Sequence, residues 1–242
     1  MVSKPKEAPL TSPIPRRVLF VDLDGTLTDP AEGIVGCFRL ALAALERPAP
    51  PGADLAWIIG PPLRRSFADM LGGTGDAEQA LAIYRARYGA EGLFEAAVYE
   101  GVHEALAEMK AAGTRLILCT SKPAVYAARI LDRFGLDRYF EAVYGAELDG
   151  RREDKGELIA HILAERGLDP GDCVMWGDRK HDVIGASRHD IPTIGALWGF
   201  GGEEELRAVA AAALCASPAE VPAAFRRFPR AEARGRTPLH DR

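Results

Sequence analysis

Nowhere in its 242 residues does the chain approach the ~20 consecutive apolar residues that a membrane-crossing helix requires. The Ala-rich run over residues 208–216 is too short for that role and reads as one buried helix. Residues 1–17 hold Pro5, Pro9, Pro13 and Pro15 and lack the apolar centre of a secretion signal, so export is not expected. Cysteine is scarce and scattered. Cys37, Cys119, Cys173 and Cys215 form no C-x-x-C pair, which argues against a disulfide frame or a zinc site. They read as small apolar residues of a protein in the reducing cytoplasm. No internal repeat is present. Charge is spread unevenly along the chain. The formal total is −5, yet residues 1–17 sum to +3 and residues 222–242 to +4, leaving −12 for residues 18–221. So acidic a body excludes a surface for a nucleic-acid polymer. The two basic, Pro-containing ends, 1–17 and 222–242, are expected to be flexible tails.

What remains is an ordinary globular composition, 48% hydrophobic and 27% charged, on a length that suits one large domain carrying an insert. Residues 18–21, 115–119, 142–144, 173–176 and 193–197 are short apolar runs bounded by Gly, Asp or Pro and read as buried strands. Helical patterns separate the later ones, near 102–112, 123–134, 155–166, 180–189 and 203–214. Gly113, Gly135 and Gly167 stand where three of them should stop. This alternation predicts an α/β fold, a Rossmann-like parallel sheet with helices on both faces. After the first strand the alternation lapses for some seventy residues. Helical stretches at 31–46, 62–71 and 77–89 predict an all-helical cap over residues 30–99, inserted into a core of 18–29 and 100–221.

The chemistry gathers at strand ends. Asp22-Leu23-Asp24-Gly25-Thr26 follows the first strand directly. Side chains two apart on an extended chain point the same way, so both carboxylates emerge at the strand's C-terminal end, where open α/β sheets bind ligands. One carboxylate can attack phosphorus while the other manages a proton. A polar strand end with an ordinary Asp-Gly turn is the plainer reading. Gly177-Asp178-Arg179-Lys180-His181-Asp182 follows another buried strand, with Asp182 one helical turn beyond Asp178. A few hard oxygen ligands with room left over suit magnesium better than zinc. A capping Asp on a solvated helix would give the same letters. Thr120 opens Thr-Ser-Lys-Pro after the strand at 115–119, as a phosphate cradle or equally as a helix N-cap before Pro123. Asp154 and Glu157 resemble a capping box, which sets Lys155 in a first helical turn against the dipole and suggests an anion nearby.

In this order the four segments resemble the haloacid dehalogenase superfamily of phosphatases, across residues 18–221. DLDGTLTD, GPPLRRSF, TSKP and GDRKHD look most like phosphoglycolate phosphatases and bacterial 5′-nucleotidases. The resemblance implies that Asp22 attacks phosphorus to give an aspartyl-phosphate. It makes Asp24 the acid for the leaving alcohol and then the base for water. It implies magnesium on the Asp22 carboxylate, the Asp24 main-chain carbonyl and Asp178, with Asp182 supporting. Thr120 and Lys155 would hold phosphoryl oxygens of a small phosphate ester, and Ser121 is a candidate for binding the substrate. Asp24 excludes the dehalogenases, which lack that second carboxylate. Residues 30–100 contain no lysine, which excludes the Schiff-base phosphonate cleavers.

Arg64 and Arg65, with Arg39, are candidates for a second anionic group of the substrate, or for a solvated helix face. Gly72-Gly73-Thr74-Gly75 reads as a turn, His181 as a surface group, Trp176 as filling beneath the sheet, and Trp198-Gly199-Phe200 as a loop at the site's rim. A sugar phosphomutase would use the same core. A non-catalytic phospho-switch similar to receiver domains shares the residue types, but there the phosphorylated Asp lies centrally in the chain and no helical insert exists.

Overall fold

A computed structural model describes residues 17–73 and 75–228. Residues 1–16 of the expected N-terminal tail, and Thr74, lie outside them. In chain order the elements begin with β1 (Val18–Val21) and β2 (Thr28–Asp29), then helices α1 (Ala31–Ala44), α2 (Leu63–Leu71) and α3 (Ala77–Ala90). There follow β3 (Ala97–Val98), α4 (Val102–Ala111), β4 (Arg115–Pro123), α5 (Ala124–Arg133), β5 (Ala142–Ala146) and α6 (Lys155–Arg166). The chain ends with β6 (Cys173–Gly177), α7 (Lys180–Ser187), β7 (Thr193–Ala196), α8 (Gly202–Ala208), β8 (Ala213–Cys215) and α9 (Val221–Arg227).

Six strands form one parallel sheet in the order β5-β4-β1-β6-β7-β8. Counted by appearance, the strands run third, second, first, fourth, fifth, sixth, so the order reverses between β1 and β6. Open parallel sheets bind their ligands at that reversal, beyond the strands' carboxyl ends. The register sets Val21 beside Leu118 on one side and Trp176 on the other, so the segments after β1, β4 and β6 meet.

Successive strand residues face opposite sides, and each side has its own core. Val18, Phe20, Ile117, Cys119, Cys173 and Met175 pack under α6 and α7 through Leu158, Ile159, Ile162 and Ala186. Leu19, Val21, Leu116, Leu118, Val174 and Trp176 face the other way, onto Leu106, Ile130 and Phe225. That second cluster runs on without a break into Phe38, Phe67 and Tyr84 of α1, α2 and α3. Each such side chain contributes about 1.5–3 kcal/mol over its exposed state. The four cysteines are all buried and free, as small apolar residues would be. Among the described residues no helix is long and apolar enough to cross a membrane.

Three expectations are corrected. The Ala-rich run is not one helix: α8 stops at Ala208, Ala210 turns back at φ 59°, and Ala213–Cys215 pairs with β7. Pairing the open edge of β7 outweighs alanine's helix propensity there. Residues 222–227 are not tail but helix, with Pro222 and Phe225 buried and the Arg17 guanidinium stacked on the Phe225 ring at 4.1 Å. The rest of the expected C-terminal tail, 229–242, lies outside the described residues. The expected insert also holds a strand, since β3 near its end pairs antiparallel with β2, just before it, and brings its two connections side by side.

Gly113, Gly135 and Gly167 take positive φ at helix ends. Asp154 caps α6, its carboxylate accepting the Glu157 N–H at 3.0 Å. Asp154→Ala is expected to lower stability by about 1 kcal/mol, read as a lower urea midpoint with an unchanged slope. An unmoved midpoint would show that the cap does not stabilise this helix.

Candidate active site

Strand β1 ends at Val21, beside Leu118 and Trp176, and the Asp22 N–H donates to the Trp176 carbonyl at 2.9 Å. Leu23 turns into the core while Asp22 and Asp24 turn outward. The chain then reverses at Gly25, at φ 81°, where a Cβ would stand 2.1 Å from an Asp178 oxygen. Only glycine fits both demands.

Asp178 is fully buried and accepts from the Thr26 hydroxyl at 3.1 Å and the Phe200 N–H at 2.8 Å. Trp198 steadies this rim loop by donating to the Thr26 carbonyl at 3.0 Å and meeting buried Trp176 edge to face. Asp182 accepts the Arg179 N–H at 3.1 Å. Carboxylate oxygens of Asp22, Asp178 and Asp182 lie within 4.8 Å of one another. Into this cluster reaches Lys155 from the first turn of α6. Its Nζ stands 3.0 Å from Asp22 Oδ1 and 2.8 Å from Asp182 Oδ1, and donates to the Cys119 carbonyl at 2.8 Å. Burial opposes the Lys155 charge, but Asp182 and Asp22 outweigh it and hold the ammonium above its ordinary range. Burial, and then the charges of Asp182 and Asp22, push Asp178 well above the usual carboxylate range. Burial also pushes Asp182 up to about 6 against the pull of Lys155.

Asp24 faces a second ammonium. Lys122 Nζ lies 2.8 Å from Asp24 Oδ2 and donates to the Tyr88 hydroxyl, on α3. Burial raises the Asp24 carboxyl, and Lys122 opposes it. Four carboxylates, Asp22, Asp24, Asp178 and Asp182, thus meet two ammonium groups, Lys122 and Lys155. When all are ionised two negative charges remain, and the donors are hard oxygens. A small divalent cation fits both facts.

Above these groups opens a cleft of about 760 Å³, counted out to its mouth. Thr120, Ser121 and Lys122 line its floor with Asp22 and Asp24. Ile34, Ile58, Leu81, Tyr84, Tyr88 and Tyr126 make its walls apolar and aromatic. The Tyr84 hydroxyl is buried there without a hydrogen-bond partner. Arg64, Arg85 and Glu153 stand at the cleft, and Arg64 pairs with Glu78 at 2.5 Å and faces Glu153 at 3.9 Å.

A family model described as haloacid dehalogenase-like hydrolase matches residues 18–196. The chain belongs to this family. It is 47% identical over 192 residues to a Pseudomonas aeruginosa protein named 5′-nucleotidase, covering 79% of this chain and 86% of that one. It is 44% identical over 188 residues to the Mycobacterium tuberculosis tyrosine-protein kinase PtkA, covering 77% of this chain but 64% of that relative. Among solved structures, a predicted phosphatase from Clostridium acetobutylicum superposes with a TM-score of 0.83 at 36% identity, covering 87% of this chain and 98% of that one.

In this haloacid dehalogenase-like hydrolase, Asp22, Asp24, Thr120, Lys155, Asp178 and Asp182 come together at the strand ends. Ser121 joins them, its hydroxyl donating to the Glu153 carbonyl at 3.2 Å. Thr120 is no helix cap, because β4 runs on to Pro123 and α5 starts at Ala124. Arg64 reaches the cleft already paired. Arg65 does not reach it, being 78% exposed beside Asp69, and Arg39 is spent on the Ala53 carbonyl at 2.7 Å. His181 is half-buried rather than a surface group.

Sequence reasoning missed Lys122, which stands two residues beyond Thr120 in the irregular end of β4. It also missed Tyr84, Tyr88 and Tyr126, whose helical spacing reads as core, and Arg85 and Glu153. Arg179 looked like the charged start of a helix. It is instead buried, paired with Glu205 at 2.9 Å and donating to the Ile59 carbonyl of the insert.

Proposed function

We propose that this chain hydrolyses small phosphomonoesters through an aspartyl-phosphate on Asp22, with magnesium, and that nucleoside 5′-monophosphates are its substrates. The reading rests above all on the convergence of Asp22, Asp24, Lys155 and the Asp178–Asp182 pair at the foot of an aromatic cleft. Asp22, Asp178, Asp182 and the Asp24 main-chain carbonyl would hold the ion, which supplies positive charge against the phosphoryl oxygens. Residues 30–99 are the cap over this site, and residues 18–29 and 100–221 the core.

An Asp22 oxygen attacks phosphorus, the ester P–O bond breaks, and the departing oxygen takes a proton from Asp24. Asp24 then takes a proton from water, whose oxygen attacks phosphorus and releases inorganic phosphate and the Asp22 carboxylate. Lys155, Thr120 and Ser121 hold the phosphoryl oxygens.

The cleft supports a nucleoside rather than glycolate. Its walls offer rings for a base to stack on, and the unpartnered Tyr84 hydroxyl offers a donor for a sugar or base oxygen. At the mouth Arg64 and Arg85 are matched by Glu78 and Glu153, so a second anion gains little there. We expect kcat/KM for a nucleoside 5′-monophosphate to exceed that for phosphoglycolate by about tenfold or more. Chelating divalent cations should lower turnover by about 10²-fold or more, and magnesium should restore it. Inorganic phosphate release is the readout. A mutase would isomerise its substrate and release almost none, and a phospho-switch would turn over no ester at all.

A further inference from the structure

The segment of β4 beyond Thr120 is irregular, its register with β5 shifting between Thr120 and Pro123. Gly145 of β5 makes room for it, because a Cβ there would stand 2.4 Å from the Lys122 carbonyl oxygen. The displaced backbone turns the Lys122 side chain inward, where it is 5% exposed. The ammonium has partners from two parts of the fold. On the core it pairs with Asp24 Oδ2 at 2.8 Å. From α3 in the insert it meets Tyr88, donating to the hydroxyl and lying 4.6 Å from the ring centroid. Asp24 is thereby left asymmetric, since its other oxygen, Oδ1, is buried with no hydrogen-bond partner.

That asymmetry has a chemical consequence. An ammonium only donates, so Oδ2 must act as acceptor toward Lys122, and a proton on this carboxyl belongs on Oδ1. We infer that Lys122, held by Tyr88, is a positioning residue that fixes which oxygen of Asp24 exchanges its proton with the substrate's leaving group. The inference rests on the acid and base role given to Asp24 above. It makes that role depend on the insert, because Tyr88 is anchored there by Tyr84, stacked at 5.0 Å, and meets Tyr126 of the core edge to face. Asp24 is thus aligned when α3 lies against the core. Lys122 is not required to touch phosphate.

A lysine that merely tied insert to core would matter equally for every substrate. One that aligns an acid matters only where the leaving group needs a proton. The test compares kcat/KM, which covers the steps through P–O cleavage, for p-nitrophenyl phosphate and for the alkyl phosphomonoester turned over fastest by the unsubstituted protein. Asp24→Asn should lose at least ~10²-fold on the alkyl ester and about tenfold or less on the aryl ester. Lys122→Met should lose roughly 10- to 100-fold on the alkyl ester and less than about threefold on the aryl ester. Tyr88→Phe keeps the ring and removes only the hydroxyl, and should show the same preference at about three- to tenfold. It decides the matter if Lys122→Met does not fold. Equal losses on both esters for the Lys122 and Tyr88 variants, with Asp24→Asn still discriminating, overturn the inference alone. An Asp24→Asn that does not discriminate overturns the role of Asp24, and this inference with it.

Discussion

Asp22→Asn should leave a folded protein with kcat reduced by at least ~10³-fold. The amide has nearly the shape of the carboxylate but neither its charge nor its nucleophilicity, so the covalent route through Asp22 closes. The fold should survive, because the substitution removes one negative charge from four carboxylates balanced by only two ammonium groups. Lys155 keeps Asp182 at 2.8 Å and the Cys119 carbonyl at 2.8 Å, so its charge stays compensated. Phosphate release and a thermal midpoint, measured on the same preparation, separate the two effects. Activity within tenfold of the parent, on a protein with an unchanged midpoint, would remove Asp22 from the role of nucleophile.

Lys155→Met is the second large effect, and here activity and stability fall together. The side chain is 2% exposed and its Nζ is shared between Asp22 and Asp182. Removing one member of a buried charge cluster costs about 3–5 kcal/mol, because the groups left behind stay desolvated without their partner. Burial and the neighbouring carboxylates push Asp178 and Asp182 above the usual carboxylate range even with Lys155 in place. Denaturant unfolding without divalent cations should register that loss. Magnesium should recover part of it, since a bound cation neutralises the same oxygens. With folding restored in this way, kcat/KM should remain about 10³-fold down, the usual consequence of losing a preorganised positive group beside developing phosphoryl charge. A variant as stable and as active as the parent would refute both the pairing and the role.

Much of this site can be read in the letters, for a local reason. Asp22, Thr120 and Asp178 each follow a short apolar strand, and a strand's end and facing are set by its own residues. Asp24 and Asp182 follow from the spacings of two along a strand and four along a helix. Lys155 shows itself by standing next to the capping Asp154. The strands at 18–21 and 173–176 and the helix at 155–166 agree with the structure to within a residue at each end. The failures have a common cause. Alanines at 208–216 favour a helix, yet the unpaired edge of β7 takes three of those residues as a strand. Tyr84 and Tyr88 have the spacing of core residues and do pack on neighbouring rings, but they also face the cleft. Nothing near Arg179 in the chain announces Glu205 or the Ile59 carbonyl as its partners.

Composition set early bounds: no membrane-crossing run, no paired cysteines, and a net acidic middle of the chain that is poor in lysine. The last of these now has a second meaning. Few lysines stand between the tails, and two of them, Lys122 and Lys155, lie buried against the acidic cluster. The sequence by itself determined which strand ends carry acids and hydroxyls, because period-two alternation and turn chemistry act over a few residues. Tertiary structure decided which of those ends meet. The reversal of strand order sets β1 beside β6, so residues some 150 apart share one cluster. A register shift and a glycine on β5 turn Lys122 onto Asp24, and an inserted helix adds Tyr88. Those pairings depend on contacts between distant segments, and no window along the chain contains both partners.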